Sequence, residues 1–249
     1  MKREIALYLS AQQFLTRLPS PAWIGWDDDR LARAAKWFPV VGIVLGLTAG
    51  LIWVGAAHVL PPMLAAGIAL VVLTLLTGGL HEDGLADCCD GLGGGATRAR
   101  ALEIMRDSRI GAYGALGLIL SFGLRWAALA EFEVWQGLSA LVIALCAGRA
   151  AMTMMLWSGV YAREDGAARS AASGVTGREA LLAMIVAIAV GVAMAGMLGG
   201  LAVLAALIAA QLWLMRLTAR LGGYTGDGLG AAEQIGQIVV LLIFAGVAA

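Results

Sequence analysis

Charge is scarce in this sequence, and what there is cancels. Only 14% of residues are Asp, Glu, Lys or Arg, and 17 basic side chains balance 17 acidic ones. A chain with no excess of positive charge lacks the electrostatic footprint of a nucleic-acid partner. Cysteine is nearly absent too, with three in all. Cys88 and Cys89 are adjacent, which is not the spacing of a zinc-binding pair, and Cys146 stands alone in an apolar run. All three read as reduced core thiols. Neither a P-loop nor a G-x-G-x-x-G fingerprint is present, which argues against an ordinary ATPase or kinase. Residues 1–37 carry charges throughout, so no signal-peptide core is expected there.

Apolar residues fill the space left by these absences. They make up 61% of the chain and mean hydropathy is +0.86, against roughly 45–50% apolar in soluble domains. The expected class is an all-α, polytopic membrane helical bundle forming a single domain over 1–249. A bilayer core needs about 20 apolar residues per helix. By that measure seven spans are expected, near 38–57, 62–80, 111–130, 138–157, 181–198, 200–217 and 232–249. The fifth and sixth are separated only around Gly199, as a tight hairpin or as one broken helix. Ahead of them, residues 3–18 form an amphipathic helix with Ile5, Leu9 and Leu15 among its apolar positions, too polar to span and so interfacial. Pro19 and Pro21 end it, Trp23 and Trp26 suit the headgroup level, and Asp27 to Asp29 cap a short charged helix.

All but two of the 17 lysines and arginines fall in segments on one side of these spans. By the positive-inside bias that side is cytoplasmic, with the N-terminus inside and the C-terminus outside. The two exceptions, Arg125 and Arg149, lie within spans, where a guanidinium is costly and faces a partner or a wet cavity. Glu131 or Glu133 would serve Arg125. Arg149 has no acidic neighbour in sequence, which points it toward substrate.

The most unusual stretch is GGLHEDGLADCCDGLGGG, residues 78–95. Asp83, Asp87 and Asp90 are spaced i, i+4, i+7, on one stripe of a helix. Like charges so arranged repel, and hard oxygen ligands on one face suit Mg²⁺, or Mn²⁺. The alternative is a solvated acidic helix end that binds nothing. The flanking glycines would let a phosphate-bearing ligand approach the backbone. Glu82 falls off the stripe and is expected to face solvent; His81 is open between a polar partner, a base and an interfacial histidine.

Two further polar clusters lie on the same side. In residues 101–114, Arg106 and Arg109 are candidate phosphate clamps, because guanidinium takes phosphate oxygens in pairs; pairing of Arg106 with Glu103 and Asp107 is the plainer reading. In residues 220–234 a glycine-rich turn holds Thr225 and Asp227 at the mouth of the last span. Carboxylates, arginines and glycine-rich turns at one membrane face suggest metal-assisted phosphoryl transfer, which is mostly positioning and charge neutralisation. The aspartate order is partly similar to that of CDP-alcohol phosphotransferases. A secondary transporter would place its carboxylates at the midplane of two repeats, and no repeat is visible. A non-catalytic scaffold would have no need of the stripe.

Nearly the whole chain more closely resembles the cobalamin synthase, or adenosylcobinamide-GDP ribazoletransferase, family. The resemblance is carried in order by FLTRLP (14–19), FPVVGIVLG (38–46), TGGLHEDGLADCCDGL (77–92), EIMRDSRIGAYG (103–114), YARE (161–164) and RLGGYTGDGLGA (220–231). It implies a Mg²⁺-dependent enzyme of the bacterial cytoplasmic membrane, active on the cytoplasmic face. The substrates would be adenosylcobinamide-GDP and α-ribazole or its 5′-phosphate, with the ribazole 5′-oxygen attacking the phosphorus attached to cobinamide and GMP leaving. Asp83, Asp87 and Asp90 would hold the metal, with Asp227 completing the cluster. His81 or an aspartate would take the proton. Arg17, Arg106, Arg109, Arg149 and Arg163, with Thr225 and Asp227, would contact substrate. The family usually has an apolar residue at the position of Glu82 and glutamates at those of Gln234 and Gln237; Glu233 is one position away, on another helix face. A homo-oligomer is left open.

Overall fold

The computed structural model describes residues 2–25, 27–163 and 174–248. Trp26, Glu164 and Arg169 therefore lie outside the described residues. The chain runs α1 (Lys2–Leu15), α2 (Asp28–Ala34), a 3-10 turn (Ala35–Trp37), α3 (Phe38–Ala57), α4 (Pro62–Thr77), α5 (Leu80–Gly94), α6 (Arg98–Ile104), α7 (Ala112–Ala130), α8 (Val134–Ser158), α9 (Gly177–Leu221) and α10 (Gly226–Ala248). No strand forms among the described residues beyond one isolated bridge between Tyr161 and Tyr224. The expected all-α membrane bundle is what the chain builds.

α8 is the axis. It is buried along nearly its whole length and packs on α3, α9 and α10. Small residues make this possible, since without a hydrophobic force between helices in lipid, close packing supplies the attraction. A Cβ on Gly42 or Gly46 would collide with the α8 backbone at Leu145 and Val142, and one on Gly236 would meet Gly148.

Five helices among the described residues are long and apolar enough to cross a membrane, or six if the bent pair α4 and α5 counts as one. α9 is longer than one crossing needs. Its backbone leaves helical geometry at Ala195 and Gly196, the latter at φ 57°. Gly191 then lies against Gly199, so closely that neither has room for a Cβ. Eight positions apart in a straight helix they would be about 12 Å apart, so α9 folds back as a tight hairpin.

α1 lies across the bundle with Leu7, Ala11 and Leu15 buried. Phe14 stacks on Phe38, Tyr8 meets Trp37 edge-on, and Glu4 pairs with Lys36 at 2.8 Å. Ile5 is exposed, so the inward stripe begins two residues later than its apolar pattern suggested. Asp27 caps α2, accepting from the Arg30 backbone N–H at 3.0 Å.

The element that places the site is the break between α4 and α5. α4 ends at Thr77, three residues short of the expected span. Gly78 and Gly79 follow at φ 67° and 71°, a left-handed pair that only glycine adopts without strain. The chain turns by 90° there. α5 then runs between α7 and α10 and carries the acidic stretch into the bundle.

Candidate active site

Two cavities meet along α5. The larger, of about 850 Å³, opens between α1, the α4–α5 bend and the loop from α6 to α7. Asp83 and Asp87 line it from α5, Arg17 from the end of α1, and Arg106 and Arg109 from the loop. The Arg17 amide donates to the Leu76 carbonyl at 2.7 Å, and its side chain lies over Gly78, where a Cβ would displace it. Arg109 is held by Asp107, with Nη2 donating to Oδ2 at 2.6 Å and Nε to Oδ1 at 3.0 Å. That guanidinium keeps the partly exposed Asp107 carboxyl down at about 2. A fixed guanidinium at a cavity mouth is an anion receptor with little ordering entropy left to lose.

The smaller cavity, of about 210 Å³, lies on the other side of Asp83, which lines both. His81, Asp227, Arg163 and Tyr161 also border it. His81 is 1% exposed, and among the described residues its Nε2 has no hydrogen-bond partner. Asp227 sits in the first turn of α10, where Thr225 accepts from the Gly228 N–H at 3.1 Å. Arg163 pairs with Asp227 at 2.8 Å. It is delivered there by the short bridge in which Tyr224 donates to the Val160 carbonyl and Ala162 to the Tyr224 carbonyl. α5 approaches this turn at Gly84, where a Cβ would come 2.8 Å from the Asp227 carbonyl oxygen. The structure thus joins Asp83, Asp87 and Asp227, brought from two helices, with four arginines around them.

Asp90 is placed elsewhere. The three aspartates share a stripe, but seven residues of helix span about 10 Å, and the far end meets a different neighbour. Asp90 is buried and accepts from the backbone N–H groups of Gly111 at 2.7 Å and Gly114 at 2.8 Å. It caps the N-terminus of α7, where orphan amides and the helix dipole favour an anion, and lines neither cavity. Arg149 likewise borders neither. Both it and Glu233 are almost fully buried, and they pair at 2.6 Å. Arg125 finds neither Glu131 nor Glu133 but Glu82, at 3.4 Å. Glu82 is therefore buried rather than solvent-facing. Gln234 donates to both Glu82 and Glu233, and Gln237 to Glu233 at 2.6 Å, closing one network across α5, α7, α8 and α10. No local sequence spacing announces these pairings, since Arg149 and Glu233 are 84 positions apart.

Among the described residues, no three His, Cys, Asp or Glu side chains are placed to hold a metal ion together. The carboxylates at the cavity junction are instead an open set of hard oxygens. That suits Mg²⁺, which takes one or two protein carboxylates and completes its shell with water and substrate phosphates.

Comparison with known proteins decides the family. The model of the cobalamin-5-phosphate synthase family matches residues 7–245. The chain belongs to that family. An adenosylcobinamide-GDP ribazoletransferase of Bradyrhizobium diazoefficiens is 47% identical over 94% of this chain and 91% of its own. One from Shewanella baltica is 38% identical over 97% and 94%. No solved structure matches. Family membership makes this membrane-embedded chain a transferase of cobalamin biosynthesis.

Proposed function

We propose that the chain joins adenosylcobinamide-GDP to α-ribazole or its 5′-phosphate, releasing GMP, on the cytoplasmic face of a bacterial cytoplasmic membrane. The observation that carries this is the junction itself. Asp83 and Asp87 share a large cavity with Arg17, Arg106 and Arg109, and Asp83 also borders a second cavity holding Asp227, Arg163 and His81. Two substrates meeting at one set of carboxylates is what a transfer between them requires.

In this reading the arginines of the large cavity take the pyrophosphate oxygens and oppose the charge that builds as GMP departs. A ribose oxygen forms the new bond to the phosphorus attached to cobinamide. The bond from that phosphorus to the bridging oxygen breaks, and GMP leaves with its electrons. The 5-phosphate in the family's name supports the 5′-phosphate as acceptor. Its 5′-oxygen is already esterified, so the nucleophile is then another ribose hydroxyl and not the 5′-oxygen expected above. Asp83, bordering both cavities, is placed to take that hydroxyl's proton. One or two of Asp83, Asp87 and Asp227 would hold Mg²⁺, which would supply neutralisation of phosphate charge there. Asp90 and Arg149 have no part in this reading. The placement of nearly all basic residues on one side of the spans supports the cytoplasmic assignment.

The test is GMP release by the purified protein in lipid vesicles. GMP should appear only when both substrates and Mg²⁺ are present. Full-rate release without Mg²⁺, or none with all three, would sink the proposal.

A further inference from the structure

The two cavities differ in chemistry as well as size, and the difference assigns their occupants. We propose that the 210 Å³ cavity binds the acceptor's base, an apolar benzimidazole-type bicycle whose single free ring nitrogen is held by His81. This rests on the reaction proposed above and adds which substrate enters which cavity.

Size comes first. Sites for drug-sized ligands run to roughly 300–1,000 Å³. A cavity of 210 Å³ takes a fragment, such as one bicyclic ring, while 850 Å³ takes the larger nucleotide-bearing partner. The walls then select the ring. Phe14, Leu80, Met152 and Leu229 present apolar surface, and beside Asp83, Tyr161, Arg163 and Asp227 the polar lining includes His81, nearly fully buried and with Nε2 unpartnered among the described residues. In an N-riboside of a benzimidazole one ring nitrogen carries the sugar and the other offers one lone pair. One acceptor meets one donor, and nothing else on the ring needs satisfying. Guanine is a poorer fit: its edge carries several donors and acceptors, while Asp227 and Arg163 on the polar wall are already paired with each other at 2.8 Å and the rest of the wall is largely apolar. The guanine therefore belongs to the polar cavity. Arg163, whose Nε also lacks a hydrogen-bond partner among the described residues, lies beside Asp227 on the polar wall, within reach of the sugar. With the base in place, Asp83 stands between acceptor and donor.

The experiment is an equilibrium titration of the full chain in lipid nanodiscs with each substrate alone, so that turnover is not needed. Met152→Phe fills the small cavity from α8. It should weaken α-ribazole about tenfold or more, the scale on which an apolar pocket reads a few carbons, and leave adenosylcobinamide-GDP binding unchanged. Met152→Ala should instead improve the relative binding of a ribazole with a bulkier base. A riboside of indole, which has a carbon where the free nitrogen stood, should bind wild-type protein roughly tenfold more weakly than the benzimidazole riboside. His81→Phe should erase that difference. Unchanged ribazole affinity in Met152→Phe, equal losses for both substrates, or indole discrimination that survives His81→Phe overturns the assignment. Wild-type protein that binds neither substrate contradicts the proposed reaction itself, which is a different outcome.

Discussion

Two groups of charges lie a few residues apart on the same helix and are treated in opposite ways. Glu82, with Glu233, faces into the bundle, where two carboxylates meet two guanidiniums and two glutamine side chains tie them together. Asp83 and Asp87, with Asp227, face the cavities, where among the described residues Asp227 alone of the three has an ion pair, with Arg163. The first group is settled by the protein itself and holds α5 against α7 and α10. The second is left for a ligand to complete. One residue of helical rotation, from 82 to 83, separates a charge paired within the bundle from one that faces a cavity.

The sharpest break in that comparison comes from the open group. Asp83→Asn should cut turnover by about 10²–10³-fold, the scale seen when one charge-stabilising contact is removed from a transition state. Thermal stability should hold, because losing one of several like charges relieves repulsion. Turnover per folded protein and the melting temperature, measured on the same sample, check both halves.

The closed group should respond in the reverse order. Arg149→Met leaves the Glu233 carboxylate buried without its guanidinium, at a cost of about 3–5 kcal/mol. Arg149→Met with Glu233→Met removes both charges and should recover most of it, because a buried pair is worth little beyond its hydrophobic replacement. Unfolding in detergent would read the difference. A single variant as stable as the double variant would mean the pair does not hold the bundle.

Asp90 sharpens the division within one stripe. Asp90→Asn keeps one acceptor oxygen but loses its charge at the α7 N-terminus, at a cost of about 0.5–1 kcal/mol. Turnover per folded molecule should stay within a few-fold of the parent. Hydrogen exchange of the Gly111 and Gly114 amides should quicken. The smallest effect is expected from Asp107→Asn, which frees Arg109 to move and should raise KM for adenosylcobinamide-GDP a few-fold with kcat little changed.

Much of this was legible in the sequence for simple reasons. Apolar runs of bilayer length mark the helices, and an i, i+4, i+7 stripe is a property of any helix. The paired glycines at 78 and 79 end α4, although the expected span ran through them to residue 80. What escaped was everything set by neighbours distant in the chain. The stripe reads Asp83 and Asp90 as equivalent, and only the arrival of Gly111 and Gly114 at one end divides them. Arg149 looks unpartnered until α10 brings Glu233 beside it. Glu82 looks solvent-facing until α7 brings Arg125. An arginine and a glutamate placed singly in apolar runs are each costly in a bilayer, and that cost is the one sequence signal that would have paired them.

The most direct test of the division is the rate of GMP release by Asp87→Asn in lipid vesicles, followed across Mg²⁺ concentration and normalised to folded protein. Asp87 borders the open cavity and, among the described residues, makes no hydrogen bond comparable to those of Asp90 or Glu233. The expected result is a loss of orders of magnitude at unchanged folded fraction, partly restored at high Mg²⁺ by the oxygen that Asn retains. Parental turnover, or a loss that merely tracks unfolding, would contradict the account.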